Sequence, residues 1–402
     1  MDAATKGRMI ARARRRRGLS QAVLAGLVGR SESWLSQVER GKKDVTSYPV
    51  LTRLAEVLRV PVADLTGEDE EEPMRYAATR RIETAMMRYT SLEAVIEDRG
   101  TDQPVNLRHM RLEAESVYAA YQATHYDEAG QRLPRLIREV EAASRGRTAD
   151  RPAVCAIRSH VYNTTAAVLR RVGERELAWQ AADRALAAAE WADEPLLAAV
   201  GAYRMSYVLM SRRRTTAAME LAMGAAEAVE RRMRGAGTPE ELSVHGGLHL
   251  AAATAAAAEY DRGAVPRFLQ QARRSADLLG RDANHHGTAF GPSNVTIHQI
   301  STSVQVGDAQ AAVDVGEELD VDSLPAGLVG RRAQVRLDLA RGYTQRRMDA
   351  AAVNTLLAAE RIAPQLVRYD PGTADVLTEL LRREHRPSTP ELRPLAQRAG
   401  VA

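Results

Sequence analysis

Apolar residues along the first 65 positions come in short bursts separated by glycines. The bursts predict helices over Arg8–Arg17, stopped by Gly18; over Gln21–Val28, capped by Ser20 and stopped by Gly29; from about Ser31 to a stop at Gly41; from about Tyr48 to Leu58; and a short turn at Val62–Leu65. Ile10, Leu24, Ala25, Val28, Leu35, Val38, Leu51, Leu54, Ala55, Leu58 and Leu65 fall on faces that can meet in one small core. After Pro73 the bursts lengthen, and apolar residues recur three and four apart. Leu177, Ala178, Ala181, Ala182, Ala185, Leu186 and Ala189 form one helical stripe; Val265, Phe268, Leu269, Ala272, Ala276 and Leu279 form another. No segment alternates with period two, so the expected fold is all-α, without a sheet.

In this second region helical stretches end near Tyr126, Gly173, Ser211, Tyr260, Gly307 and Gly342, each followed by another amphipathic segment. A helix pair per unit is the signature of an α-solenoid. Gly173 and Gly342 are each followed 22 residues later by a proline, Pro195 and Pro364. Small residues where helices meet, a Gly at the turn within a pair and a Pro closing the second helix resemble the tetratricopeptide repeat over about residues 105 to 365. The spacings here exceed the usual length of about 34 residues, and most of the signature aromatic positions are absent.

The chain has 402 residues, room for two or three domains. Gly67 and Pro73 flank five consecutive acids, Glu68 to Glu72, a composition that resists packing and reads as a linker. The expected plan is a DNA-binding domain at 1–66, an acidic linker at 67–73 and a helical-repeat effector and dimerisation domain at 74–402. Charge supports the division. Residues 1–66 hold 13 Lys and Arg against 6 Asp and Glu, whereas the rest carries a slight acidic excess, so a polyanion partner is expected for the head alone. The lone Cys155 excludes an internal disulfide framework and a cysteine zinc cluster, which fits a reducing cytoplasm. Apolar runs such as Leu248–Ala258 are short and alanine-rich, and no signal core follows the N-terminal positive charge, so no membrane partner and a cytoplasmic location are expected.

The run from Gly18-Leu19-Ser20-Gln21 through Ala25, Val28-Gly29-Arg30-Ser31-Glu32-Ser33-Trp34-Leu35 and Gln37-Val38-Glu39-Arg40-Gly41-Lys42, continued by Leu51, Leu54-Ala55, Leu58, Val60 and Leu65, resembles the helix-turn-helix of the phage-repressor and Cro type, the XRE family. The resemblance covers about residues 7–65. A tight turn at Gly29 lets two helices cross, and the second presents its first turn to base edges in the major groove. Ser31 caps that helix, Glu32, Ser33 and Gln37 occupy its exposed face, and Leu35 and Val38 point inward. The family's pattern implies that Glu32, Ser33 and Gln37 read bases and that Gln21 holds a phosphate. Glu32 either accepts from a cytosine amino group or orients Arg30. Arg30, Arg40, Lys42 and Lys43 surround the reading helix as phosphate contacts, helped by Thr46 and Ser47. Arg14 and Glu39 stand where the family pairs them structurally. Trp34 has three readings: packing on the core, touching a thymine methyl or sugar, or meeting a second subunit.

Enzymatic signatures are missing: no Gly-rich phosphate loop, no Gly-x-Ser-x-Gly and no His-Glu-x-x-His occurs. His245 and His249 stand four apart but lack a third ligand, and His285-His286 lies in a loop-like setting. No enzyme activity, no metal and no cofactor are expected. The body instead offers polar and aromatic residues on the first helices of its pairs: Tyr121, Tyr162, Asn163, Tyr203, Arg204, Tyr207, His249, Asn294, His298 and Gln299. In a solenoid groove they could hold an extended peptide or a small molecule, with Asn163 and Asn294 suited to a peptide backbone. An XRE-type head on a tetratricopeptide-like body resembles the peptide-responsive quorum-sensing regulators of Gram-positive bacteria. That resemblance implies a homodimer on two-fold double-stranded DNA sites and an effector that changes the body's curvature. The alternative is a DNA-tethered protein scaffold with no small effector.

Overall fold

In the computed structural model, residues 3–60, 62, 65, 76–87, 106–145, 150–321, 327–385 and 387–401 are described; the expected acidic linker, 67–73, lies outside them. Among the described residues every regular element is helical. They group into two units, one of Met1–Pro73 with Gln305–Gly307 and one comprising Met74–Val304 and Asp308–Ala402.

The first unit contains α1 (Ala3–Arg16), α2 (Gln21–Leu27), α3 (Glu32–Glu39) and α4 (Tyr48–Leu58). Each break is where the sequence places it, because Gly18, Gly29 and Gly41 take φ of +66°, +68° and +69°, a left-handed conformation that costs side-chain-bearing residues 1 kcal/mol or more. Ser20 and Ser31 cap α2 and α3, their hydroxyls accepting from Val23 N and Trp34 N. The whole expected core assembles, joined by Ala13 and Val45. Helix α1 begins at Ala3 rather than Arg8. Its extra turn is held by Lys6 Nζ, which donates to Asp44 Oδ1 (2.8 Å) and Val45 O (3.1 Å), tertiary contacts with no local apolar signature.

The second unit opens with α5 (Thr79–Met86) and continues as helix pairs: α6 (Leu107–Gln122) with α7 (Tyr126–Arg145), α8 (Arg151–Arg171) with α9 (Arg175–Ala189), α10 (Pro195–Ser211) with α11 (Thr215–Arg232), α12 (Pro239–Ala258) with α13 (Ala264–Leu279), α14 (Pro292–Gln305) with α15 (Ala309–Glu318), and α16 (Val329–Gln345) with α17 (Asp349–Ile362). Three shorter helices follow, α18 (Pro364–Tyr369), α19 (Pro371–Arg382) and α20 (Leu392–Arg398). This is the expected all-α solenoid of helix pairs. The first helices of four successive pairs begin at Leu107, Arg151, Pro195 and Pro239, 44 residues apart each time, because the helices are longer than those of a 34-residue unit.

Within each of the six pairs the turn contains one left-handed residue: Thr124, Gly173, Arg213, Tyr260, Gly307 and Arg347. Only two of these are glycine, so most turns carry no sequence marker. Gly342 is not a turn residue at all; it lies inside α16, where its missing side chain lets Val313 of α15 approach. Pro195 and Pro364 likewise stand at the first position of the helix that follows, α10 and α18, rather than closing the one before.

A shared apolar cluster joins α5 through α10 to α16 through α20, so the last helices pack back on the first pairs. Tyr369 is edge-on to Tyr76, with ring centroids 5.5 Å apart, and its hydroxyl donates to Asp127 Oδ1 at 2.9 Å. That return brings first helices distant in sequence around a common interior.

Candidate nucleic-acid interface and effector site

Helix α3 buries Leu35 and Val38 and exposes Glu32, Ser33 and Gln37. The spacing follows from a period of 3.6 residues, which sends positions 35 and 38 to one side and 33 and 37 to the other. Exposed Arg30, Ser31, Arg40, Lys42, Lys43, Thr46 and Ser47 flank this face. Among the described residues, Ser33, Gln37, Lys42 and Lys43 have no side-chain hydrogen-bond or ion-pair partner, so all four face outward unengaged. Arg40 is bonded to Ser36, through Nε to the carbonyl and Nη2 to the hydroxyl.

Trp34 packs against the small core, and the Arg30 guanidinium lies over its ring, 5.6 Å from the centroid. Arg30 is thus oriented by an aromatic face; Glu32 makes no ion pair with it. Gln21 also departs from expectation. Its Nε2 donates to Glu39 Oε2 at 2.7 Å, inside a network in which Arg14 donates to the same carboxylate through Nε (2.6 Å) and Nη2 (2.9 Å), and through Nη1 to Leu19 O. The Arg14–Glu39 pair is structural, as expected, and it holds Gln21 as well. A phosphate would have to reach the second Nε2 hydrogen or the backbone at the start of α2.

A family model for a helix-turn-helix domain matches residues 7–66. The N-terminal unit is a helix-turn-helix domain. No curated protein matches the chain. Among solved structures it is similar to Bacillus thuringiensis PlcR in complex with the peptide PapR7 and DNA, at 17% identity and a TM-score of 0.35, over 69% of this chain and 96% of that one.

In the helix-pair unit the first helices meet through polar side chains. Tyr207 Oη of α10 lies 3.0 Å from His298 Nε2 of α14, and Arg331 Nη2 of α16 lies 3.5 Å from Tyr203 Oη. Arg171 Nη1 of α8 donates to Gln334 Oε1 of α16 at 3.1 Å. The Arg170 guanidinium stacks on Tyr207 and that of Arg204 on Tyr203, at 5.6 and 5.5 Å, while Tyr118 of α6 meets His160 of α8 edge-on. Of the expected effector residues, then, Tyr203, Tyr207 and His298 are brought together, with Arg204 and Tyr121 beside them.

Asn163 and Asn294 are buried, and the Oδ1 atom of each lacks a hydrogen-bond partner. Tyr162 does not join this interior. It is fully buried, bonded to Glu141 Oε1 at 2.9 Å and sandwiched by Arg158 and Arg184. Helix α8 is buried on nearly every side, so periodicity could not distinguish the face of Tyr162 from that of Asn163. His249 is displaced for a similar reason: α12 is apolar all round, and His249 packs with His245 (3.2 Å between Nε2 atoms) and Phe268, while His245 Nδ1 meets Ser275 Oγ at 2.9 Å. The pair forms a core hydrogen-bond chain. Among the described residues no group of three or more His, Cys, Asp or Glu is placed to hold a metal ion, and no helix is long and apolar enough to cross a membrane.

Arginine sets the electrostatics of the interior. Burial pushes the Tyr121 phenol up, but Arg204, Arg171, Arg170 and Arg331 around it outweigh burial and bring it down to about 8. Burial pushes Arg170 down, and Arg171 adds to that. Burial raises Asp370 too, but Arg341 and Arg171 prevail and hold its carboxyl below the usual range. Asp338 remains raised by burial despite Arg341. Sequence reading missed Tyr118, His160, Arg170, Arg171 and Arg331, because arginine is spread through the whole chain and a guanidinium inside a helix stripe looks like one more solvated charge.

Proposed function

We propose that this protein is a non-enzymatic, sequence-specific DNA-binding transcriptional regulator of the XRE type. The carrying observation is the exposed face of α3, where Ser33 and Gln37 are unspent and flanked by Arg30, Arg40, Lys42 and Lys43. Phosphate contacts from the basic flank supply affinity and register, and the amide and hydroxyl of α3 discriminate bases. Residues 1–66 act as the DNA-binding domain, 67–73 as an acidic linker and 74–402 as the effector and dimerisation domain. The protein works as a homodimer on two-fold sites in the bacterial cytoplasm.

In the same reading the helix-pair domain senses a peptide or small molecule. The Tyr203–Tyr207–His298 cluster and the unpartnered amide oxygens of Asn163 and Asn294 support it, since a buried acceptor without a partner costs about 1–3 kcal/mol that a donor on a ligand would recover. An effector acts by binding one arrangement of the helix pairs more tightly than another. The test is genomic DNA capture with the full-length protein. The expected product is a two-fold sequence with half-site centres about one helical turn apart. Enrichment of sequence-indifferent DNA only would overturn the regulator reading in favour of a DNA-tethered scaffold.

A further inference from the structure

The interior of the helix-pair domain has an unbalanced charge. Asp338 and Asp370 bring carboxylates to it, and both are engaged by arginine, although Asp338 Oδ2 has no hydrogen-bond partner. Asp370 takes Arg341 Nη2 at 3.1 Å, Arg171 Nη1 at 3.4 Å and the Thr373 amide at 2.9 Å, and Asp338 takes Arg341 Nη1 at 2.8 Å and Gln334 Nε2 at 3.2 Å. Among the described residues, Arg170, Arg204 and Arg331 have no carboxylate partner. Arg204 is 7% exposed and its Nε has no hydrogen-bond partner; the Nε of Arg170 has none either. Arg331 has Tyr203 Oη and the Thr288 carbonyl, neither of which carries charge.

A guanidinium cannot shed its proton to escape burial. Desolvating it without a counter-charge is unfavourable; Arg204 is buried and Arg170 and Arg331 are half-buried, and the three lie around the same tyrosines, so each adds to the cost of the others. The same arginines hold the Tyr121 phenol below its usual range. Forked donors and phenol hydroxyls together match planar or tetrahedral oxygen anions.

We propose that this interior binds an oxyanion, a carboxylate or phosphoryl group carried by the effector, held by Arg170, Arg204 and Arg331 with Tyr203 and Tyr207 as flanking phenols. The assignment rests on the effector reading above only for its regulatory meaning; the site itself stands on the charge and geometry of these side chains. The effector is therefore anionic, and its amide or hydroxyl donors would be free to meet Asn163 and Asn294.

The test is calorimetric titration and thermal unfolding of the full-length protein with sodium pyrophosphate and with sodium succinate, against sodium chloride at equal ionic strength. Saturable binding with a rise in Tm is expected for at least one of them. Pyrophosphate alone would assign a phosphoryl ligand and succinate alone a carboxylate. Arg204→Met and Arg331→Met should abolish the response. Because each removes an uncompensated cation, each should unfold no earlier than wild type without added anion, which separates lost binding from lost folding. No saturable binding, an equal response in the variants, or a large fall in the Tm of Arg204→Met without anion would overturn the proposal. Operator affinity is measured in the same samples: anion binding that leaves it unchanged keeps the site and refutes the effector reading.

Discussion

Replacing Glu39 by leucine removes the acceptor at the centre of the helix-turn-helix domain. Its carboxylate takes three short hydrogen bonds, two from Arg14 and one from Gln21, and the side chains of Arg14 and Glu39 are only 11% and 5% exposed. Solvent can neither screen the pair nor replace the lost partner. Arg14 would keep Leu19 O alone. Breaking such a pair by deleting one member costs about 3–5 kcal/mol, set against a total of about 5–15 kcal/mol for a folded domain. Helices α1, α2 and α3 all converge on this carboxylate, so the loss reaches the orientation of the reading helix. The assay is urea unfolding followed by Trp34 fluorescence in the full chain, with Trp179→Phe and Trp191→Phe removing the other two indoles. The exposed Arg53–Glu56 pair provides the control, since Glu56→Ala should cost less than about 1 kcal/mol. A Glu39→Leu cost below about 1 kcal/mol would refute the reasoning, because it would mean that the pair is as well hydrated as a surface one.

Three further outcomes are expected. Lys42→Ala and Lys43→Ala should each reduce the slope of log binding constant against log salt by about one, measured on a single DNA site, while leaving base preference unchanged. Arg347→Gly should stabilise the helix-pair domain by up to about 1 kcal/mol in thermal unfolding, because Arg347 sits at φ +61° between α16 and α17 where glycine has no steric cost; a loss of stability would count against that account. His298, buried and beside Arg331, has its pKa pushed down to about 3, so it is neutral when folded and takes a proton near pH 6.5 when unfolded. Its contribution is complete above about pH 6.5 and is lost as pH falls towards the folded value, at up to about 1.4 kcal/mol per pH unit. His298→Gln should therefore flatten the decline in stability between pH 6.5 and 4.5, and an unchanged slope would refute the assignment.

The helix-turn-helix domain was legible because each of its constraints is local. Glycines at the left-handed turns, serine caps and a short apolar period leave one way to fold sixty residues, and the core from Ile10 to Leu65 could be named in advance. Gln21 was harder to place, since its partner Glu39 is eighteen residues away and competes with any phosphate. The solenoid was legible as helix pairs but not in its turns, where Thr124, Arg213, Tyr260 and Arg347 do the work of glycine. Its interior was half legible. Tyr203, Tyr207 and His298 lie on first helices as the pattern implies, whereas Arg170 and Arg331 meet only because the chain returns on itself, a long-range event that no window of sequence records.

The central claim is that α3 reads DNA sequence through Ser33 and Gln37. It is tested most directly by measuring the affinity of Ser33→Ala/Gln37→Ala for the captured site and for random DNA, at two salt concentrations. The account predicts a loss of about 1–3 kcal/mol for each base contact removed, confined to the specific site, with non-specific binding and its salt slope retained. Unchanged discrimination between the two DNAs would contradict it and move the reading surface away from α3.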